Sequence, residues 1–160
     1  MSITTVYTGE DLPKEYRRTI FLAGPTPRSE DVKSWRPAAI KALQSVGYDG
    51  VVLVPEFRDK VVPSYDGVVE WETKMLQESE IILFWVPRDL ETMPAFTTNV
   101  EFGLWLSSGK MVYGRPDSAI KNRYLDFHYK RVYQCDPETT LEKTVLKAVD
   151  KFSQGMSERK

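Results

Sequence analysis

The chain has 160 residues, which suits one domain of roughly 100 to 200 residues and allows about two-thirds of its unfolded surface to be buried without a disulfide or metal staple. Its 22 Lys and Arg against 23 Asp and Glu give a net charge of -1, which argues against a protein that coats a nucleic acid polymer, since phosphate-backbone binders carry a basic excess. A single cysteine, Cys135, and a single histidine, His128, exclude an intramolecular disulfide and a Cys/His zinc site, and no metal is expected. No apolar run reaches signal-peptide or membrane-spanning length, so a soluble, cytoplasmic protein without membrane attachment is expected. The expected organisation is one domain over residues 1–160, with 1–17 and 153–160 as loose ends.

In chain order, Thr19 to Ala23 (TIFLA), Val51 to Val54 (VVLV), Ile81 to Val86 (IILFWV) and Met111 to Tyr113 (MVY) read as strands, with Arg131 to Gln134 (RVYQ) as a weaker fifth. Continuous rather than alternating apolar runs are what strands covered on both faces show. Helices are expected over Val32 to Val46, with Gly47 as its stop, and over Val68 to Glu78, Thr98 to Ser108 and Leu141 to Phe152. The alternation predicts a single three-layer α/β domain, a five-stranded parallel sheet between helices with right-handed crossovers.

Open parallel sheets bind ligands beyond the carboxyl ends of their strands, so the segments that follow each strand are the first place to look for chemistry. They read GPTPRSED, PEFRDK, PRDLETMPAFTTNVEFG and GRPD. Gly24 and Pro25 let the backbone leave the first strand tightly and approach a ligand, or serve as a plain turn. Neither a three-glycine dinucleotide fingerprint nor a Walker sequence is present.

Glu101 admits two readings. Thr98-Asn99-Val100-Glu101 fits a helix capping box, in which the glutamate reaches back to the cap amide. Alternatively, a carboxylate at a helix N-terminus, beside a strand's carboxyl end, is held ionised by the helix dipole and can act as a nucleophile. Glu70 and Glu72 flank Trp71 at the start of the second helix, either as a solvated acidic helix start or with one of them facing the cleft. A Glu72 close to Glu101 would supply the pair of carboxylates, one charged and one protonated, that glycosidic-bond chemistry uses. Tyr65, Trp71 and Phe96 are candidate walls for a flat heterocycle or core residues, and Trp85 is assigned to the core. Arg28, Arg36, Arg58, Arg88 and Arg115 are candidate phosphate forks, or else surface arginines paired with Glu30, Asp59, Asp89 and Asp117.

Taken together, IFLAGP, WETKMLQESEIILFWVP and TTNVEFGLWLSSGKMVYGRPD resemble the nucleoside 2-deoxyribosyltransferase-like superfamily, most closely its short bacterial and phage-type branch. The resemblance covers most of residues 19 to 126. It implies a flavodoxin-like sheet and cleavage of the N-glycosidic bond of nucleosides or nucleotides by a glutamate that attacks the anomeric carbon, with no metal or organic cofactor. Glu101 falls on the nucleophile's position. Glu72, with Glu70 as fallback, matches an acidic residue that helps hold the sugar or the base, and Gly24 and Pro25 match the loop near the sugar. Transferases of the family carry an aspartate six residues before the nucleophile, where this chain has Ala95, so Asn99, Thr98 or Thr97 is expected to take part of its role. A neighbouring subunit often completes such sites, which implies a homo-oligomer, a dimer or higher, with Asn122 or Tyr124 in KNRYLDFHY as the donated residue.

Three functions follow. The leading one is an enzyme that cleaves a 2-deoxynucleoside and transfers the sugar to another base. Its rival is a hydrolase of a nucleoside 5′-monophosphate, towards which the arginine-rich loops and Ala95 lean. The third is a non-catalytic nucleotide-binding sensor. A flavodoxin-like redox role is disfavoured, because the first strand is not followed by a Ser/Thr/Gly-rich phosphate loop.

Overall fold

A computed structural model describes residues 2–59 and 64–155. The charged tail SERK, part of the 153–160 stretch expected to be a loose end, lies outside the described residues, as does Pro63. Strands β1 (Thr4–Tyr7), β2 (Thr19–Ala23), β3 (Val51–Val54), β4 (Ile81–Trp85) and β5 (Met111–Gly114) alternate with helices α1 (Arg36–Ser45), α2 (Tyr65–Glu78), α3 (Phe96–Trp105), α4 (Arg123–Tyr133) and α5 (Leu141–Gly155). The sheet is parallel at every pairing, in the order β1-β3-β2-β4-β5, which is a flavodoxin-like α/β arrangement.

Every residue of β2, β3, β4 and β5 is buried, as their continuous apolar runs require. Side chains alternate between two cores with the period of two that a strand imposes. Phe21, Leu53, Ile82, Phe84 and Tyr113 pack beneath α2, α3 and α4 with Trp71, Met75, Phe102 and Tyr129. Ile20, Leu22, Val52, Leu83 and Val112 pack on the other face against Ala39 and Leu43 of α1 and Val145 and Ala148 of α5. Trp85 belongs to this second core, as expected.

Five strands are present, but the fifth is not the expected one. Arg131 to Gln134 belongs to the end of α4, where Gln134 closes the helix in the left-handed region at φ 58°. Leu125 and Tyr129 are buried four residues apart, and the half-buried Val132 and Tyr133 continue that helical stripe. The additional strand is β1, which pairs with β3 on the opposite edge and lies in the stretch expected to be loose. Beyond β5, where a further strand could stand, the Tyr133 hydroxyl accepts from the Met111 N–H at 3.2 Å, and only Glu138 makes an isolated bridge, to Gly114.

Helix boundaries shift in ways that local chemistry explains. α1 starts at Arg36 rather than Val32, with Pro37 in its first turn, and ends at Ser45, with Gly47 at φ 78° just beyond its C-cap residue Val46. α2 starts earlier than expected, at Tyr65, because the Ser64 hydroxyl accepts from the Gly67 N–H at 3.2 Å. α3 likewise starts at Phe96, with Ala95 as its N-cap residue. No helix among the described residues is long and apolar enough to cross a membrane.

Candidate active site

From β2 the chain passes through α1 to β3 on one side, then returns through α2 to β4 on the other, so the strand order reverses between β2 and β4. Open α/β sheets leave a crevice at such a point, beyond the carboxyl ends of the strands. A cleft of about 300 Å³ lies there, at the lower end of the usual range for small-molecule pockets. Gly24 and Pro25 come to it from the end of β2, Tyr65, Val69 and Glu72 from α2, and Pro94 to Thr98 and Glu101 from the α3 start. A larger cavity, about 480 Å³, lies between α4, α5 and β5 and is lined by none of the candidate catalytic or substrate-binding residues read from the sequence.

Gly24 has φ 150°, and a Cβ at this position would fall on the Trp85 carbonyl oxygen and the Trp35 indole. Only glycine fits where the backbone leaves β2 this close to its neighbours. The next residue is held too, since the Trp35 Nε1–H donates to the Pro25 carbonyl at 3.0 Å.

Glu72 and Glu101 both line this cleft, from different helices, and the charge of Glu72 acts on Glu101. Burial, then the neighbouring Glu72 charge, push the Glu101 carboxyl up from its ordinary value of 4.5 to about 7, against the pull of Arg36. Burial raises Glu72 as well, again opposed by Arg36. Below about pH 7 the Glu101 carboxyl therefore keeps its proton beside a charged Glu72, and above it the carboxyl is ionised and able to attack.

The capping box is not formed. α3 begins three residues before Thr98 could cap it, Thr98 is buried inside its first turn, and the N-cap residue Ala95 has no side-chain bond to offer. Ala95 itself occupies the left-handed region at φ 62°, an uncommon conformation for a residue with a Cβ.

Of the residues expected at the site, Gly24, Pro25, Arg28, Tyr65, Glu72, Thr98 and Glu101 line the cleft together. Arg28 sits on its rim with the guanidinium 6.0 Å from the Phe96 ring centroid, and no ion pair engages it among the described residues. Tyr65 and Phe96 are 81% and 68% exposed, so they form the outer walls of the cleft. Trp71 is a core residue, not a wall: its ring packs near Phe21, and its Nε1–H donates to the Glu10 carbonyl at 2.9 Å. Glu70 stays exposed on α2.

Asn99 and Asn122 lie beside the cleft rather than in it, joined by a buried arginine. Arg88 donates to the Asn122 and Asn99 side-chain oxygens and to the Pro94 carbonyl, and Asn122 donates in turn to the Val86 carbonyl. This network pins the loop between β4 and α3 to the start of α4. Asn122 is thus engaged within its own chain, whereas Tyr124, 75% exposed, projects outward.

The arginines are not the surface set paired with nearby aspartates. Arg115 pairs with Asp126 at 2.7 Å and Arg58 with Glu10 at 2.6 Å. Arg36, only 1% exposed, stands at the floor of the cleft with its Nη1 3.6 Å from Glu56, a residue that the sequence did not single out. The signal available in the sequence was the spacing itself, a Trp-Arg-Pro helix start following a Gly-Pro strand exit. Among the described residues no group of three or more His, Cys, Asp or Glu side chains is arranged to hold a metal ion.

Fold and site together define a flavodoxin-like α/β domain with a coupled carboxylate pair over a buried guanidinium, placed where open parallel sheets hold small ligands. The chain belongs to the nucleoside 2-deoxyribosyltransferase-like family, whose model matches residues 17–119, from just before β2 to the loop after β5. That stretch contains Gly24, Arg36, Glu72 and Glu101, and leaves β1, α4 and α5 outside it. No curated protein sequence matches the chain.

Proposed function

We propose that the protein cleaves the N-glycosidic bond of a deoxynucleoside through Glu101 and transfers the sugar to a second base. The observation that carries this reading is the convergence of Glu72 and Glu101 in one cleft, with Glu101 pushed to about 7. In the ionised form Glu101 attacks the anomeric carbon: the bond from carbon to the base nitrogen breaks, an ester bond from carbon to the carboxylate oxygen forms, and the departing base takes up a proton from solvent. An incoming base then attacks the same carbon and releases its ring N–H proton to solvent, and Glu101 departs as carboxylate. Tyr65 and Phe96, on the exposed walls, are placed to flank a planar base.

One observation favours a second reading, hydrolysis of a nucleoside 5′-monophosphate. Arg28 stands on the cleft rim without a carboxylate partner among the described residues, and water replaces the acceptor base in the second step.

Self-association belongs to the same reading. Phe96, Val100 and Leu104 form an exposed apolar row along α3, and Tyr124 and Phe127 are exposed on α4, apolar side chains whose character suits a second copy of the chain. Phe96 already walls the cleft, so a partner seated on this row would border the site.

The test is incubation with ribo- and deoxyribonucleosides and their 5′-monophosphates, with and without an excess of a second base, with products followed by mass spectrometry. A new nucleoside formed by wild type and not by Glu101→Ala supports transfer, and free base without exchange supports hydrolysis. Ligand binding without consumption of any substrate would refute both and leave a sensor.

A further inference from the structure

Resting on the reading of Glu101 as the attacking group, we propose that Arg36 is the positioning residue of this site: its buried guanidinium fixes the Gly24–Pro25 loop and supplies the positive charge against which Glu101 works. The first role is geometric. Arg36 Nε donates to the Leu22 carbonyl at 3.0 Å, Nη2 to the Gly24 carbonyl at 2.7 Å and Nη1 to the Thr26 hydroxyl at 2.9 Å. Three acceptors spread along the end of β2 and the following loop are thus held by one planar fork, a pattern that a lysine's point charge cannot reproduce. The bonds reach the segment that forms one wall of the cleft, so a shift of the fork moves that wall.

The second role follows from charge. Three carboxylates from three elements act on this one guanidinium: Glu56 after β3, Glu101 on α3 and Glu72 on α2. Arg36 is the cation that acts on both Glu72 and Glu101, and Arg28, the other arginine of the cleft, stands on the exposed rim. Glu56 draws on the same charge from the far side of Arg36, next to a separate cavity of about 390 Å³. A purely structural arginine would need the carbonyls alone. Here the fork is oriented by the backbone while its charge is divided among acids, one of which is poised to attack.

The test is a ¹³C-glutamate NMR titration of the full chain as wild type, Arg36→Gln, Arg36→Lys and Glu56→Gln, with pH profiles of turnover alongside. Arg36→Gln is expected to raise the Glu101 midpoint by about one pH unit, which at pH 7 cuts its ionised fraction from about half to about a tenth, about a fivefold loss of rate. Arg36→Lys is expected to restore the midpoint while KM stays raised, because the charge returns and the fork does not. Glu56→Gln is expected to lower the midpoint, and this variant decides the matter should Arg36→Gln fail to fold. An unmoved Glu101 midpoint in Glu56→Gln, or in a folded Arg36→Gln, overturns the assignment. The titration needs no substrate, so the two readings fail separately: expected shifts without turnover by wild type refute glycosyl transfer alone, and turnover with an unmoved midpoint refutes the role of Arg36 alone.

Discussion

Replacing Glu101 by glutamine should abolish turnover and at the same time make the protein more stable, increasingly so as the pH rises. Glu101 holds its proton more tightly in the folded chain, at about 7, than in the unfolded one, at its ordinary 4.5. The stability it contributes is therefore complete below about pH 4.5 and is lost as the pH rises through about 7. At ~1.4 kcal/mol per pH unit, carrying the charge at pH 8 costs on the order of 3 kcal/mol, against less than about 1 kcal/mol at pH 5. Glutamine keeps the shape, removes the charge and also relieves Glu72. Urea unfolding of wild type and Glu101→Gln at both pH values measures the difference directly, with an expected gain in melting temperature of about 6 to 12 °C at pH 8. A gain that is flat with pH, or a loss of stability, would refute the argument that burial and Glu72 set the state of Glu101.

Further expectations follow from the same geometry. Turnover should rise with pH through about 7 as Glu101 loses its proton, read from kcat/KM; activity constant from pH 5 to 8 would contradict it. Gly24→Ala should cost about 2 to 4 kcal/mol in urea unfolding, because the new methyl meets the Trp85 carbonyl and the Trp35 ring, and a neutral outcome would show that the loop yields. Asn122→Ala leaves Arg88 and the Val86 carbonyl short of a partner and should cost about 1 to 3 kcal/mol, lowering turnover without moving its pH profile. Val100→Glu with Leu104→Glu should convert an oligomer into monomer by light scattering, and a wild type that is already monomeric would remove the basis for self-association.

The reach of the sequence can be followed residue by residue. TIFLA, VVLV, IILFW and MVY announce themselves because a strand covered on both faces needs an unbroken apolar run, and such runs are rare elsewhere in a polar chain. The edge strand TTVY buries only Val6 fully, so its signal is one residue deep and disappears into the polar N-terminal stretch. RVYQ looks like a short strand when read alone, and shows its helical period only when Leu125 and Tyr129 are counted with it. Thr98 to Glu101 matches a capping pattern, but a pattern cannot say where the helix begins, and Ala95 begins it.

By itself the sequence determined the fold class, the places where strands end, and the candidacy of Gly24, Glu72 and Glu101, because burial on two faces, tight strand exits and carboxylates after strands leave local marks. Only the tertiary structure decided which of those marks meet. It brought Glu72 and Glu101 from separate helices into one cleft, withdrew Trp71 into the core, drew Asn99 and Asn122 onto Arg88, and sank Arg36 beneath the pair with Glu56 at its back. The physical reason is that a side chain's charge state and task depend on its dielectric surroundings and partners. For Arg36 those partners are the carbonyls of Leu22 and Gly24 and carboxylates on three other segments, positions that no local pattern in the sequence connects.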